Sequence, residues 1–219
     1  MPPHPAPPQP LVHPYPTVVL ANGERPAHAV ALGQLRGAAT IVCCDGAAQS
    51  LLQLGMTPTY IVGDMDSLSP ALRQRFADRI YHESEQESND LTKAIRLCRA
   101  KGLRSATILG ATGKREDHTL GNISLLAGYA DELSVQMLTG YGALHVASGH
   151  GTFASFAGQQ VSLFCLSAEA RITTGNLRYP LHDSPLPALW MGTLNESQGD
   201  TFSLRCTGKV VVFREYPAG

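Results

Sequence analysis

Charge of either sign is sparse in this chain and almost balanced: 17 Lys and Arg face 18 Asp and Glu, for a formal net charge of −1 over 219 residues. No basic field exists to gather nucleic acid or an anionic membrane. Long apolar runs are missing too, and none approaches the roughly 18 residues of a membrane span. Cysteine is sparing and odd in number: Cys43, Cys44, Cys98, Cys165 and Cys206 form no Cys-x-x-Cys pair. That argues against a disulfide framework or a zinc site and for a reducing cytoplasm. Most of the five lie inside apolar runs, where a free thiol behaves as a small hydrophobe. The start carries neither a charged segment nor an apolar core, so no signal peptide is expected. No internal repeat is found, and His4, His13, His145, His150 and His182 show no ligand spacing. These absences leave a soluble cytoplasmic protein, long enough for one large domain or two small ones.

Proline dominates residues 1–16, and a disordered or polyproline-like tail is expected there. From residue 17 short apolar runs alternate with segments of helical period. Strands are expected over 17–21, 40–44, 60–62, 106–109 and 134–138, with a short one at 79–82. Helices are expected before Gly37, before Gly55, over 70–78, from Asp90 to Lys101, and through Leu120, Ile123 and Ala127. Alternation with short loops predicts a Rossmann-like α/β domain over 17–140, built on a parallel sheet with its active loops at the carboxyl ends of the strands. Beyond Tyr141 the helical period disappears. Runs at 161–166, 171–174, 201–206 and 209–213, divided by glycine turns, predict a small antiparallel β-sandwich domain over 141–219. Thr207-Gly208 is read as a two-residue hairpin loop.

Every conspicuous polar cluster of the first domain follows a predicted strand. In Ile61-Val62-Gly63-Asp64-Met65-Asp66-Ser67 two aspartates leave a buried strand two positions apart. If the chain stays extended, both carboxylates face one side. At about 4 Å they would repel by roughly 4 kcal/mol at an effective dielectric near 20. A hard cation, Mg²⁺ first, would offset that; an Asx-type turn is the plainer alternative. Asp45-Gly46 and the acidic run 83–90 ending at Asp90 add further carboxylates. Gly110 to His118 brings Gly113, Lys114 and Arg115 to a helix amino terminus, which suits phosphate. Acidic clusters facing a glycine-basic loop suggest a metal–polyphosphate site and phosphoryl-type transfer. Plainer roles stand beside these: Asp117 as a helix N-cap, His118 as a structural hydrogen-bonder, Lys93, Arg96 and Arg99 as an exposed helix face, and Tyr179 as ordinary packing.

Four segments in order resemble the thiamine pyrophosphokinase family: Asp45-Gly46-Ala47-Ala48, Gly63-Asp64-Met65-Asp66-Ser67, Glu85-Gln86-Glu87-Ser88-Asn89-Asp90-Leu91-Thr92-Lys93, and Gly110 to Asn122 with Arg115, Asp117 and His118. The β-rich tail is similar to the family's second domain, notably at 175–181. The resemblance implies transfer of the pyrophosphoryl group of ATP to the hydroxyl of thiamine, with AMP leaving. It implies Asp64, Asp66 and Asp90 as Mg²⁺ ligands with Asp45 close by. Gly46, Gly113, Arg115, Asp117 and His118 would bind nucleotide and phosphate, and Gln86, Asn89, Tyr179 and Asn195 thiamine. A homodimer with its active site at the subunit interface is also implied. Glu85 and Glu87 stand where the family has aspartate, Asn89 where it has threonine, Lys114 where glycine is common, and Leu194 where it has serine. Trp190 is an alternative to Tyr179 for stacking on the thiamine ring. Two other functions fit parts of the sequence. Gly63-Asp64-Met65-Asp66-Ser67 also looks like the nucleophile motif of haloacid-dehalogenase-type phosphohydrolases, and the altered residues would suit a non-catalytic thiamine- or nucleotide-binding regulator.

Overall fold

The structure is a computed structural model that describes residues 7–167 and 169–218. These residues form two compact units, 14–140 and 7–13 with 141–218. No helix among them is long and apolar enough to cross a membrane.

The first unit is the expected parallel sheet. Its strands are β1 (Thr17–Leu20), β2 (Thr40–Cys44), β3 (Tyr60–Gly63), β4 (Ile80–His82), β5 (Ser105–Leu109) and β6 (Ser134–Leu138). They pair in parallel in the order β4-β3-β2-β1-β5-β6. Val18, Val19, Val42, Cys43, Ile61, Val62, Ile108 and Met137 are buried to the last atom. Such unbroken apolar runs are what strands covered on both faces require. Five helices connect them: α1 (Ala29–Arg36), α2 (Ala47–Gln53), α3 (Pro70–Arg75), α4 (Asp90–Ala100) and α5 (Glu116–Tyr129). α1 stops at Gly37 as the spacing predicts. The helix expected over 70–78 is shorter: at Phe76 φ swings to −115° and the ring drops into the core at 3% exposure, leaving a single 3-10 turn, Ala77–Arg79, behind it. Strand order reverses between β1 and β5, so the loops after β1, β2, β3 and β5 open at one end of the sheet. A crevice at such a reversal is where open α/β sheets bind ligands.

The second unit contains β7 (Gly142–Ala154), β8 (Gln160–Cys165), β9 (Arg171–Gly175), β10 (Ser184–Pro185), β11 (Asn195–Glu196) and β12 (Thr201–Glu215). β12 pairs antiparallel with β7 along its length, and their register slips between Cys206 and Lys209. Thr207-Gly208 is therefore a bulge inside one continuous strand, which corrects the expected hairpin loop: both flanking halves keep the same partner, so the chain bends there and does not reverse. The first half of β12 pairs with β9 and the second with β8. Strands that change layers through a bulge form the corners of a sandwich. Phe202 and Leu204 from one half meet Val210 and Val212 from the other around Phe153, Val161, Leu163 and Ile172.

The described part of the proline-rich start differs from a free tail; the expectation for residues 1–6 falls outside the described residues. The Gln9 N–H donates to the Thr152 carbonyl at 2.8 Å, and the Ala154 N–H to the Gln9 carbonyl at 2.9 Å. Arg214, wholly buried, donates to the carbonyls of Gln9 (3.2 Å), Ala154 (2.8 Å) and Pro10 (2.7 Å). Without its own regular structure, the segment takes the partners a strand edge and a buried guanidinium offer.

Candidate active site

A cavity of about 540 Å³ opens at the carboxyl ends of the parallel strands. Of the residues singled out from sequence, Asp64, Gln86, Asn89, Asp90, Lys114, Arg115 and His118 line it. Carboxylates from the loop after β3 and the start of α4 thus face the basic loop after β5, as the sequence reading requires.

Asp45 follows β2 and is almost wholly buried, at 3% exposure. Its Oδ2 accepts the Ser67 N–H at 2.8 Å, while its Oδ1 is buried with no hydrogen-bond partner among the described residues. Burial, opposed by the Ser67 N–H and reinforced by Asp64, holds its carboxyl above the ordinary carboxylate range. Asp90 opens α4. Burial pushes its pKa up, Lys93 pulls it down, and Asp64 and Asp45 push it up again. The influence of Asp64 on both Asp45 and Asp90, and of Asp45 on Asp90, marks the three as one electrostatic cluster. Gly63 lets them approach: at φ +148° a Cβ there would stand 3.1 Å from both the Asp45 Cβ and the Asp90 Oδ1. A side chain would be strained by the backbone angle and by the neighbours alike.

Asp66 is not part of that cluster. Met65, 3% exposed, has a left-handed φ of 67°, so the chain turns between the two aspartates instead of running extended. Asp64 Oδ1 accepts the Asp66 N–H at 3.2 Å, the Asx turn weighed as the plainer reading, and the Asp66 side chain is left exposed outside the cavity. Arg73 fixes the turn, donating to the carbonyls of Leu68, at 3.0 Å, and Met65. Asp64 Oδ2 accepts from the Gln86 side chain at 3.2 Å. The Asp66 N–H and then Gln86 hold the Asp64 carboxyl below its ordinary value.

Lys93 corrects the expectation of an exposed helix face. It is 2% exposed, its Nζ lies 3.5 Å from Asp90 Oδ1, and it lines the cavity. Arg96 and Arg99 do lie on the outer face and pair with Glu85 and Glu132. Asn89 is the N-cap of α4: its Oδ1 accepts the Thr92 N–H at 2.9 Å, and its Nδ2 donates to Asn122 Oδ1 at 3.1 Å. Asn122 in turn donates to the Ala111 carbonyl at 2.8 Å, so this pair of amides ties α4 to the loop after β5.

In the basic loop the N-cap of α5 is Arg115, not Asp117. Asp117 lies in the first turn, exposed, with its carboxylate 2.5 Å from Arg115 Nη2. That guanidinium, with the His118 N–H, holds the Asp117 carboxyl down at about 2. Gly113 has φ +88° and packs on Glu24, whose Oε2 a Cβ would meet at 2.3 Å; it shapes the loop beside the cavity. Gly46 packs likewise against Asn22 and Ser67.

The β unit carries the remaining expected residues. Tyr179 is 59% exposed and Asn195 only 8%. The Asn195 amide is engaged with the Tyr179 backbone, accepting its N–H at 3.1 Å and donating to its carbonyl at 2.7 Å, so Asn195 holds Tyr179 in place. Leu194 is exposed, at a left-handed φ of 58°. Trp190, with Leu189 and Met191, stands exposed on the turn Leu189–Gly192.

The sequence motifs assign no role to Asn22, Gly23, Cys44, Ser67, Thr119 or Asn122, all of which line the cavity. Asn22-Gly23 follows β1 at the same end of the sheet as the other loops, and that position was the available signal. Here the Gly23 N–H donates to the Gly110 carbonyl at 2.6 Å, and Lys114 Nζ to the Asn22 carbonyl at 3.0 Å. The loops on either side of the strand reversal are thereby clasped together. Lys114 is thus engaged at the rim.

The donors are hard carboxylate oxygens, the chemistry a Mg²⁺ site needs, and buried Asp45 leaves its Oδ1 without a hydrogen-bond partner among the described residues. Among the described residues no three His, Cys, Asp or Glu side chains stand close enough together to hold an ion.

Two family models match the chain: the thiamin pyrophosphokinase catalytic domain over residues 33–137 and the thiamin pyrophosphokinase substrate-binding domain over 142–213. Among curated proteins, a thiamine pyrophosphokinase of Bacillus subtilis (strain 168) is 36% identical over 87 residues, which is 37% of this chain and 40% of that one. Thiamine pyrophosphokinase 1 of Oryza sativa subsp. japonica is 29% identical over 157 residues, 59% of this chain and 57% of that one. The chain thus spans 40% and 57% of the curated relatives it matches. The fold is that of a thiamin pyrophosphokinase from Candida albicans, with TM-score 0.76, 18% identity, and 96% and 94% of the two chains covered. It is equally that of the enzyme from Geobacillus thermodenitrificans, with TM-score 0.76, 23% identity, and 93% and 98% covered. Neither the phosphohydrolase nor the regulator alternative finds support in these matches. With both domain models matched in order along one chain, this chain belongs to the thiamin pyrophosphokinase family.

Proposed function

We propose that the chain transfers the pyrophosphoryl group of ATP to the hydroxyl of thiamine, giving thiamine diphosphate and AMP. The observation that carries this is the opposition, inside one cavity, of Asp64 and Asp90 to the loop bearing Lys114, Arg115 and His118. The hydroxyl oxygen forms a bond to the β-phosphorus, the bond from that phosphorus to the α,β-bridging oxygen breaks, and the hydroxyl proton is released. Arg115 and His118 hold phosphate oxygens at the amino end of α5, and Asp117 orients the Arg115 guanidinium. Gln86, anchored on Asp64, contacts the alcohol substrate. Tyr179, held by Asn195, and Trp190 offer exposed aromatic surface to the thiamine ring.

Mg²⁺ would be held by Asp64 and Asp90 in the cavity, with Asp66 joining from the exposed rim and Asp45 as a buried charge behind them. When bound it would neutralise phosphate charge and align the reacting oxygens. A homodimer belongs to the same proposal, and the exposed Tyr179, Leu189, Trp190, Met191 and Leu194 are the surface it would cover or offer to substrate. Sedimentation at the monomer mass would contradict it. A cytoplasmic setting is proposed from the cysteines, all five of which are buried free thiols; secretion of the native chain would contradict that.

The test of the reaction is AMP formation by the purified chain with ATP, Mg²⁺ and thiamine, each omitted in turn. AMP that requires all three supports the proposal. Phosphate release without thiamine points to a hydrolase, and saturable binding without AMP to a regulator.

A further inference from the structure

The loop between β4 and α4 is organised by a residue that the proposed chemistry leaves unused. Glu85 Oε2 accepts the N–H groups of Glu87 at 2.8 Å and Ser88 at 3.1 Å. Its Oε1 accepts from Arg96 Nη1 at 3.1 Å and from the Ser88 hydroxyl. Arg96 Nη1 reaches the Ser88 Oγ as well, at 3.1 Å. One carboxylate therefore closes the loop on itself and staples it to the outer flank of α4.

The consequence lies on the other side of the loop. Gln86, Ser88, Asn89 and Asp90 line the cavity, and neither Glu85 nor Arg96 is among its lining residues. Gln86 sits directly after the staple and points back to Asp64 Oδ2, and Asn89 follows Ser88 as the cap of α4. The segment is fixed at both ends, so the Gln86 amide has little freedom left. Glutamate suits the task, since the carboxylate must accept two N–H groups of its own loop and still reach a guanidinium on the helix. As a stability device the pair is weak: its side chains are 37% and 52% exposed, and exposed ion pairs contribute little. Its value is orientation.

We infer that Glu85, clamped by Arg96, is a positioning residue that aims Gln86 at the alcohol substrate; this rests on the pyrophosphoryl-transfer reading above. Glu85→Ala raises KM for thiamine about tenfold, with kcat and KM for ATP within about twofold of wild type, because a binding contact is loosened and the phosphate side is untouched. Arg96→Met raises KM for thiamine about threefold. The double variant is no worse than Glu85→Ala, since both break one clamp. Glu85→Gln, which keeps an acceptor for the loop but loses its charge, matches Arg96→Met.

An unchanged thiamine KM in Glu85→Ala would overturn the inference, as would effects of the two substitutions that simply multiply. A lowered melting midpoint with both substrates' KM raised alike would make Glu85 merely structural and overturn it too. If wild type makes no thiamine-dependent AMP, the reaction is wrong and the clamp is judged by amide exchange. Faster exchange over 83–89 in Glu85→Ala and Arg96→Met alike upholds it; exchange equal to wild type overturns it.

Discussion

Lys93 in the α/β unit and Arg214 in the β unit are both lost to solvent, at 2% and 0% exposure, yet their charges are met in different ways. Lys93 stands 3.5 Å from Asp90, where Asp64 pushes up the pKa of both Asp45 and Asp90, and Asp45 that of Asp90. Arg214 has no carboxylate within ion-pair distance among the described residues; it donates to the carbonyls of Gln9, Pro10 and Ala154, and burial lowers its pKa to about 10. One unit buries a cation to balance excess negative charge at a cavity, and the other buries one to hold a chain segment. The first arrangement stores unfavourable charge where chemistry is proposed, while the second satisfies backbone with a side chain.

Breaking the acidic side of this comparison has the largest effect. Asp64→Asn lowers thiamine-dependent AMP formation by on the order of 10³-fold and leaves the melting midpoint in place, because the residue is a cavity wall and not core. Next comes Lys93→Met, which leaves the partly buried Asp90 charge without its partner and costs about 2–3 kcal/mol in urea unfolding. Adding Asp90→Asn recovers most of that loss, and no recovery would contradict the pairing.

Asp45→Asn acts in the opposite direction on stability. A carboxyl whose folded pKa is raised prefers its proton in the folded state. Its ionisation therefore removes stability as pH rises from the unfolded value, about 3.9, through the folded one. Asp45→Asn raises the melting midpoint at neutral pH while abolishing transfer, and the gain vanishes below about pH 4; a gain independent of pH would contradict the burial argument. Arg214→Met is the mildest. Replacing a buried charge by an apolar side chain of similar length is nearly neutral overall, within about 1 kcal/mol, but segment 7–13 loses protection in amide exchange.

How much of this was legible in the sequence follows from the range of the forces involved. The α/β unit is written locally: buried runs such as Val18-Val19, helices ending at Gly37, and a polar cluster after each strand place Asp45, Asp64 and Asp90 at one end of a parallel sheet without knowledge of any contact. For Asp64 and Asp66 one left-handed residue, Met65, overturns only the argument from extended geometry that puts both carboxylates on one side. A helix pattern says which face is apolar, not that a cation is wanted beneath a carboxylate cluster, so in the sequence Lys93 reads as solvated. The engagement of the Asn89 amide in a helix cap and of the Asn195 amide in a backbone clamp leaves no local mark in the sequence. In the β unit the signals are weaker. β7 runs through Ser148-Gly149-His150-Gly151, which reads as a loop and is held as strand by its pairing with β12. At Thr207-Gly208 a bulge and a turn call for the same residues, and only the partner strand distinguishes them. The clasp of Arg214 on Gln9 joins residues at opposite ends of the chain and leaves no local trace.

The most direct test of the central claim is the fate of the β-phosphorus, followed by ³¹P NMR after incubating the wild-type chain with β-labelled ATP, Mg²⁺ and thiamine. Pyrophosphoryl transfer to thiamine puts the label in the ester phosphorus of thiamine diphosphate while unlabelled AMP accumulates in equal amount. Label retained in ADP, or released as free phosphate, would contradict it.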